Sequence, residues 1–422
     1  MKKNFFLFGI IVIFIPLFII SFNIFDSQRV IFKNLSTEIQ IIIRTVRKGE
    51  SLKKGLSNLV DSVVNDYNVK YLPDSQFTRL DLKKKKINFE EKKGKYFSFY
   101  IEIIDNRIWI IDHLGNFLET DIEEIKDEEP SELKTKKINN NLSVNKIIGT
   151  LIHDEKIYIA YKKINNNCVT LNISSAEINS KFLDFKNFFN SSECGKGSFG
   201  GGRMQFFVHK GTEGLILSTS DWLTGDKYDE RPQNDESIFG KILFIDFNKK
   251  NHIIFSKGHR NSIGLYSRGN LILSTDHGPR GGDEINKVIF GKNYGWEKAS
   301  YGEIYGHGKN EKSNEPVYLK SHIELGFEEP IFAFVPSIGI SQIIEIPNSF
   351  SNFWSNNFLV SSLFGRSLYR VKFDENYNKV IYYEKIFVGE RIRDLKYLKK
   401  NDSILFAFEE EGELGIMKVL ND

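Results

Sequence analysis

Between Gly258 and Trp296 the chain carries GHRNSIGL, a strand-like RGNLILST, then DHGPRGGDEIN and NYGW, so that polar, glycine-studded loops surround one apolar run. Gly278, Gly281 and Gly282 open backbone conformations closed to other residues and let a ligand approach the main chain, while Pro279 stiffens the same turn. Carbonyls in such a turn can point at a cation. His259, Arg260, His277, Arg280, Asp283 and Glu284 crowd nearby. Arginine offers carboxylates a rigid fork, and glutamate offers hard oxygen to Ca²⁺. A plain sheet has no use for this density, so the segment reads as a built site. Farther on, RIRDL sets Arg391 and Arg393 two residues apart, which on a strand puts both on one face. Other chemistries lack their signatures. GKGSFGGG at Gly195 has neither the lysine-serine ending nor the helix of a phosphate loop, and no HExxH or G-x-S-x-G occurs.

Something must bring these loops together. From about Tyr96 onward one pattern recurs: a turn of Asp, Asn, Glu or Gly, a spacer, then a short apolar strand. It appears as DNRIWII at Asp105, DEKIYIA at Asp154, TEGLILS at Thr212, RGNLILS at Arg268, SNNFLVS at Ser355 and NDSILFA at Asn401. The spacing is roughly 45 to 60 residues, except for one interval near 85 that contains the polar insertion YGEIYGHGKNEKSNEPVYLKSH. A β-sandwich would also alternate short strands but does not require six similar units. The recurrence predicts an all-β, six-bladed propeller over residues 91–422, whose loops converge at one end of a central channel. Arg260, Arg391 and Arg393 are expected to meet there.

Composition agrees with β structure, with 36 Phe among abundant Ile and only 9 Pro. A net charge of +3, with both signs interspersed, argues against a nucleic-acid partner. Lys2 and Lys3 precede an apolar run from Phe5 to Phe22, and no small-x-small cleavage site follows it. Residues 1–25 are therefore expected to be an N-terminal transmembrane signal-anchor with the remainder exported. Residues 26–90 are expected to form a helical juxtamembrane stalk, with Ser36 and Ser51 as N-caps and Ile39 and Ile43 on a buried side. The run Lys83 to Lys86 reads as a solvated loop. Cys168 and Cys194 exclude a Cys₄ zinc site; in an oxidising compartment they can pair, but sequence does not give their separation.

GHRN followed by HGPRGGDE and NYGW resembles the glucose/sorbosone dehydrogenase family of quinoprotein six-bladed propellers. The resemblance extends to GGRM at Gly201, FGKILFID at Phe239, VPSIG at Val335 and RIRDL at Arg391. It implies pyrroloquinoline quinone (PQQ), a planar tricarboxylate, held by Arg260, Arg391 and Arg393, with His277 beside it, Ser337 hydrogen-bonded to it and Asn261 orienting Arg260. It implies Ca²⁺ on the carbonyls of Gly278 and Pro279, and a second, structural calcium on Glu284 and the Tyr294 carbonyl. Asp221 in STSDW matches the carboxylate that orients the family's catalytic histidine. The histidine itself is missing: SFGGGR places Phe199 where the base is expected. A blade-five lysine is replaced by Phe364, and DHLG at Asp112 to Gly115 replaces the first-blade signature. His209 reads as an ordinary core or surface histidine.

The apolar N-terminus thus implies an inner-membrane anchor with the propeller in the periplasm, or release into it if the segment is cleaved, and the resemblance implies an enzyme oxidising a sugar at C1 and passing electrons to an acceptor. Asp221 alone, or a re-aimed His277, would then assist proton removal. The competing expectation is a propeller that binds a sugar, a quinone or a protein without turnover, since a fold does not dictate function.

Overall fold

The computed structural model describes residues 78–90, 96–126, 132–166, 168–195, 200–221, 230–279, 281–302 and 321–420. The expected anchor, nearly all of the expected stalk, Phe199, Arg280 and most of the polar insertion lie outside the described residues. Among the described residues no helix is long and apolar enough to cross a membrane.

Each recurring segment is the second strand of a blade. The strands are Arg107–Asp112, Lys156–Asn165, Thr212–Thr219, Leu271–Asp276, Asn357–Ser362 and Ser403–Phe408. The polar turn in front of each has a physical reason, because the backbone there enters the left-handed region. Asp105 (φ 52°), Asp154 (49°), Glu155 (56°), Gly269 (56°), Asn356 (57°) and Asp402 (45°) all do so. In the first two blades the turns are two-residue hairpins, with Ile104 opposite Arg107 and His153 opposite Lys156.

The apolar run after each turn follows from packing on both sides. Ile108 and Ile110 of the first blade join a core shared with the sixth, while Trp109 and Ile111 join a core shared with the second. Every adjacent pair of blades shares one such cluster, six in all. Alternate residues of a strand face opposite sides of its sheet, so a central blade strand is apolar over a consecutive run, as in Ile108–Ile111.

The first strands of the blades, Phe99–Ile104, Lys146–His153, Gly201–His209, Ser262–Arg268, Ile340–Glu345 and Ile392–Leu398, line the channel, each touching the next around the ring. Blade 6 is closed by Leu80–Lys86, which pairs antiparallel with Glu413–Val419, Leu80 standing opposite Val419. Two expectations are corrected here. The propeller begins before residue 91, and the lysine run is its closing strand rather than a loop. An outermost strand rich in lysine is a protected edge, while Leu80 is buried in the core shared by blades 5 and 6. Cys168 and Cys194 form a disulfide, Cα to Cα 5.2 Å. His209 packs near Phe244, Phe255 and Phe290, as an ordinary histidine would.

Candidate functional site

A cavity of about 270 Å³ lies where the first strands begin, lined by residues of all six blades, among them Ser98, Lys162, Arg203, Asn261, Leu363 and Arg393. Lys146, Lys162, Arg203, Arg391 and Arg393 all line it, and no carboxylate does among the described residues. Arg391 and Arg393 converge as expected because one buried group aims them both. Each donates its Nε to a different oxygen of Glu409, at 2.8 and 2.7 Å. Burial opposes ionisation of Glu409, but Arg393 and Arg391 outweigh it and hold the carboxyl down to about 2. Arg391 also lies 4.1 Å above the Tyr96 ring, within cation–π range.

Beneath the cavity, GGRM and RIRDL prove to be one unit. Arg203 donates to Asp394 at 2.7 Å, to the Arg393 carbonyl at 2.7 Å and to the Ile263 carbonyl at 2.9 Å. The other Asp394 oxygen accepts the Ile101 amide at 3.0 Å. The pair is buried and its remaining polar atoms are satisfied, the condition under which a buried ion pair is tolerated. Glycine is required beside it: a Cβ on Gly149 would lie 2.0 Å from the Gly202 carbonyl oxygen, so the backbones of blades 2 and 3 meet directly.

The opposite wall comes from blade 4, and its described lining residues, Asn261, Ile263 and His277, carry no charge. Asp276 accepts the amides of Arg260 and Asn261 and the Ser262 hydroxyl. Asp283 accepts the amides of Gly278, Ile338 and Ile340, which ties VPSIG to the glycine loop. These two aspartates are turn anchors. Asn261 and His277 reach the cavity, and the buried Asn261 Oδ1 has no hydrogen-bond partner. His277 Nε2 faces the Ile340 carbonyl, which can only accept, so that nitrogen carries the proton. Burial lowers the His277 pKa. The ring is neutral, and Nδ1 is its acceptor. Ser256, His259 and Asp276 form a hydroxyl–imidazole–carboxylate row, but all three are buried at 3% exposure or less and belong to the interior.

Several expected site residues sit elsewhere. Arg260 does not line the cavity; its guanidinium donates to the His277 and Gly278 carbonyls at 2.9 and 2.8 Å and lies over Trp296. Asp221 does not line it either, because its carboxylate accepts the Trp296 indole N–H at 2.8 Å and its amide binds the Arg260 carbonyl. Asp221, Trp296 and Arg260 form a stack that supports the loop. Ser337 donates to the Pro279 carbonyl at 3.5 Å and also stands outside the lining.

The donors expected to hold calcium do not form a cage. The Gly278 carbonyl already faces a guanidinium, which a cation would have to displace. Around Glu284 and Tyr294, buried His322 places Nε2 3.6 Å from a Glu284 oxygen and lies beside the Tyr294 carbonyl. A ring nitrogen is a poor substitute for the hard oxygens calcium takes. Burial, with Asp276 and Asp283 adding to it, pushes the Glu284 carboxyl well above its ordinary range. Among the described residues no group of three or more His, Cys, Asp or Glu is placed to hold a metal.

Sequence reasoning missed Lys146, Lys162, Tyr100 and Glu409. Glu409, in a polar EEEGE stretch, carries no local signal. The lysines stand in KIIGTLIH and KIYIAYKKIN, and a register shift between Ile147 and Gly149 pairs them; the DEK turn alone would set Lys146 opposite Lys163.

The profile described as Glucose / Sorbosone dehydrogenase matches residues 150–418. An uncharacterized protein of Synechocystis is 27% identical over 223 residues, 48% of this chain and 52% of its own length. An aldose sugar dehydrogenase of Escherichia coli is 27% identical over 260 residues, 57% of this chain and 65% of its own. The chain thus spans about half to two thirds of the length of these curated relatives. Among solved structures, the apo form of the soluble E. coli aldose sugar dehydrogenase superposes with TM-score 0.62 at 18% identity, covering 81% of this chain and 100% of that one. The PQQ-bound aldose sugar dehydrogenase of Streptomyces coelicolor gives 0.56 at 14%, covering 81% and 99%.

Proposed function

The chain belongs to the glucose/sorbosone dehydrogenase family, and on that premise we propose that its channel-mouth cavity binds pyrroloquinoline quinone and oxidises the C1 hydroxyl of an aldose. The observation that carries the reading is the pair Arg391 and Arg393, locked by Glu409 into the same cavity as Asn261 and His277. The lining fits a planar tricarboxylate: five basic side chains, with no carboxylate among the described lining residues, attract it, and the orphaned Asn261 oxygen waits for a donor. When bound, the quinone supplies a hydride acceptor. Arg391 and Arg393 would hold its carboxylates, with Arg203 below. His277 Nδ1, neutral and on the cavity wall, would take the hydroxyl proton that Phe199 cannot. Arg260, Asp221 and Trp296 would position the loop that carries His277. No step is routed through calcium, since its expected donors are otherwise engaged.

We place the propeller on the exported side of a membrane, anchored through the apolar segment Phe5 to Phe22. The lack of a histidine in SFGGGR favours a second reading, in which the ligand is held without turnover.

One experiment separates the two. The full chain would be mixed with PQQ and Ca²⁺ and assayed with a redox dye against aldoses. Dye reduction that disappears in Arg393→Ala supports the dehydrogenase. Thermal stabilisation by the quinone without dye reduction supports the binding propeller, and the absence of both defeats the proposal.

A further inference from the structure

We propose that Lys146 and Lys162 form a carboxylate subsite on the blade 2 wall of the cavity, a role that none of the family motifs in the chain assigns to blade 2. The two stand directly opposite each other across the hairpin of that blade. Like charges so placed destabilise a sheet unless an anion lies near. Lys162 is only 4% exposed, yet both lysines line the same cavity as Arg391 and Arg393.

Blade 5 brings no cation to the described lining. Where a lysine was expected, Phe364 is 77% exposed and Leu363 lines the cavity instead. With Asn261 and His277 neutral on blade 4, the cavity is polarised, and a ligand would turn its anionic edge toward blades 6 and 2.

The electrostatics of Lys162 agree. Burial, then Lys146, pushes its ammonium down to about 7. The charged and titratable groups around the cavity are Lys146 on its own blade, Arg203 on blade 3, Arg391 and Arg393 on blade 6, neutral His277 on blade 4 and Tyr100 on blade 1. A carboxylate entering among them restores the charged form, so binding takes up a proton above pH 7 and none well below it.

The inference rests on the reading that the cavity binds an anionic ligand. The carboxylate can belong to the quinone or to an acidic sugar, and the test has an arm for each. Calorimetric titration of the full chain with PQQ, in two buffers of different ionisation enthalpy at pH 8 and pH 6, gives affinity and proton uptake together. Loss of at least about tenfold in affinity in Lys162→Met, with loss of uptake at pH 8, and recovery of affinity without uptake in Lys162→Arg, whose guanidinium is already charged, assigns the subsite to the quinone. Unchanged quinone affinity, with glucuronate binding to the loaded protein weakened relative to glucose, assigns it to the sugar. Thermal melts check that each variant is folded. A Lys146→Gln/Lys162→Met double variant that binds PQQ and glucuronate as the parent does overturns the subsite. A parent protein that binds no PQQ overturns the underlying reading instead.

Discussion

Glu409 is the residue on which the cationic wall depends. Its folded pKa of about 2 lies below the ordinary 4.5, so its contribution to stability is complete above about pH 4.5 and is lost as pH falls toward 2. That contribution is about 3 kcal/mol. Glu409→Gln should therefore lower stability at pH 7 by a similar amount and flatten the acid limb between pH 4.5 and 2, as measured by denaturant titration at several pH values. His277 makes a different prediction. His277→Gln should cut turnover by about 10²- to 10⁴-fold while PQQ affinity changes little, if the imidazole is the proton acceptor. Legibility also differed residue by residue. Arg391 and Arg393 were readable because their spacing fixes their face, whereas Arg260 was misplaced because nothing in GHRN tells which carbonyls its fork will meet. Lys162 looked like any lysine in a strand, since what distinguishes it is burial.

At the scale of elements, the legible part was the second strand of each blade, where a left-handed turn and a run buried on both faces leave marks that do not depend on the ligand. The outer strands left none. Val380–Phe387 alternates between exposed and half-buried positions, and Leu80–Lys86 is mostly lysine, so each reads as solvated chain. Only partnership makes them strands. The close approach of blades 2 and 3 was likewise invisible, although GGRM supplied the glycines. Gly149→Ala drives a methyl into the Gly202 backbone, which cannot swing aside as a side chain would. It should destabilise the protein by on the order of 3 kcal/mol and weaken ligand binding with it, as read by thermal melting with and without PQQ.

For the whole molecule, the ring is stable only when shut. Among the described residues no blade has a core of its own, because every cluster is shared with a neighbour. Deleting the chain through Lys86 should leave Glu413–Val419 as a bare edge. The expected result is a lower melting temperature and self-association, visible by light scattering, while a version retaining Leu80 onward stays monodisperse.

The pairing of Leu80 with Val419 also sets a timetable. During synthesis the lysine-rich strand emerges early and must wait, without its partner, until the last blade has left the ribosome. Five sheets can be drawn up side by side in the meantime, but the clasp, and with it the cup of guanidinium groups that Ile392–Leu398 helps to shape, can form only after the sixth blade has been made.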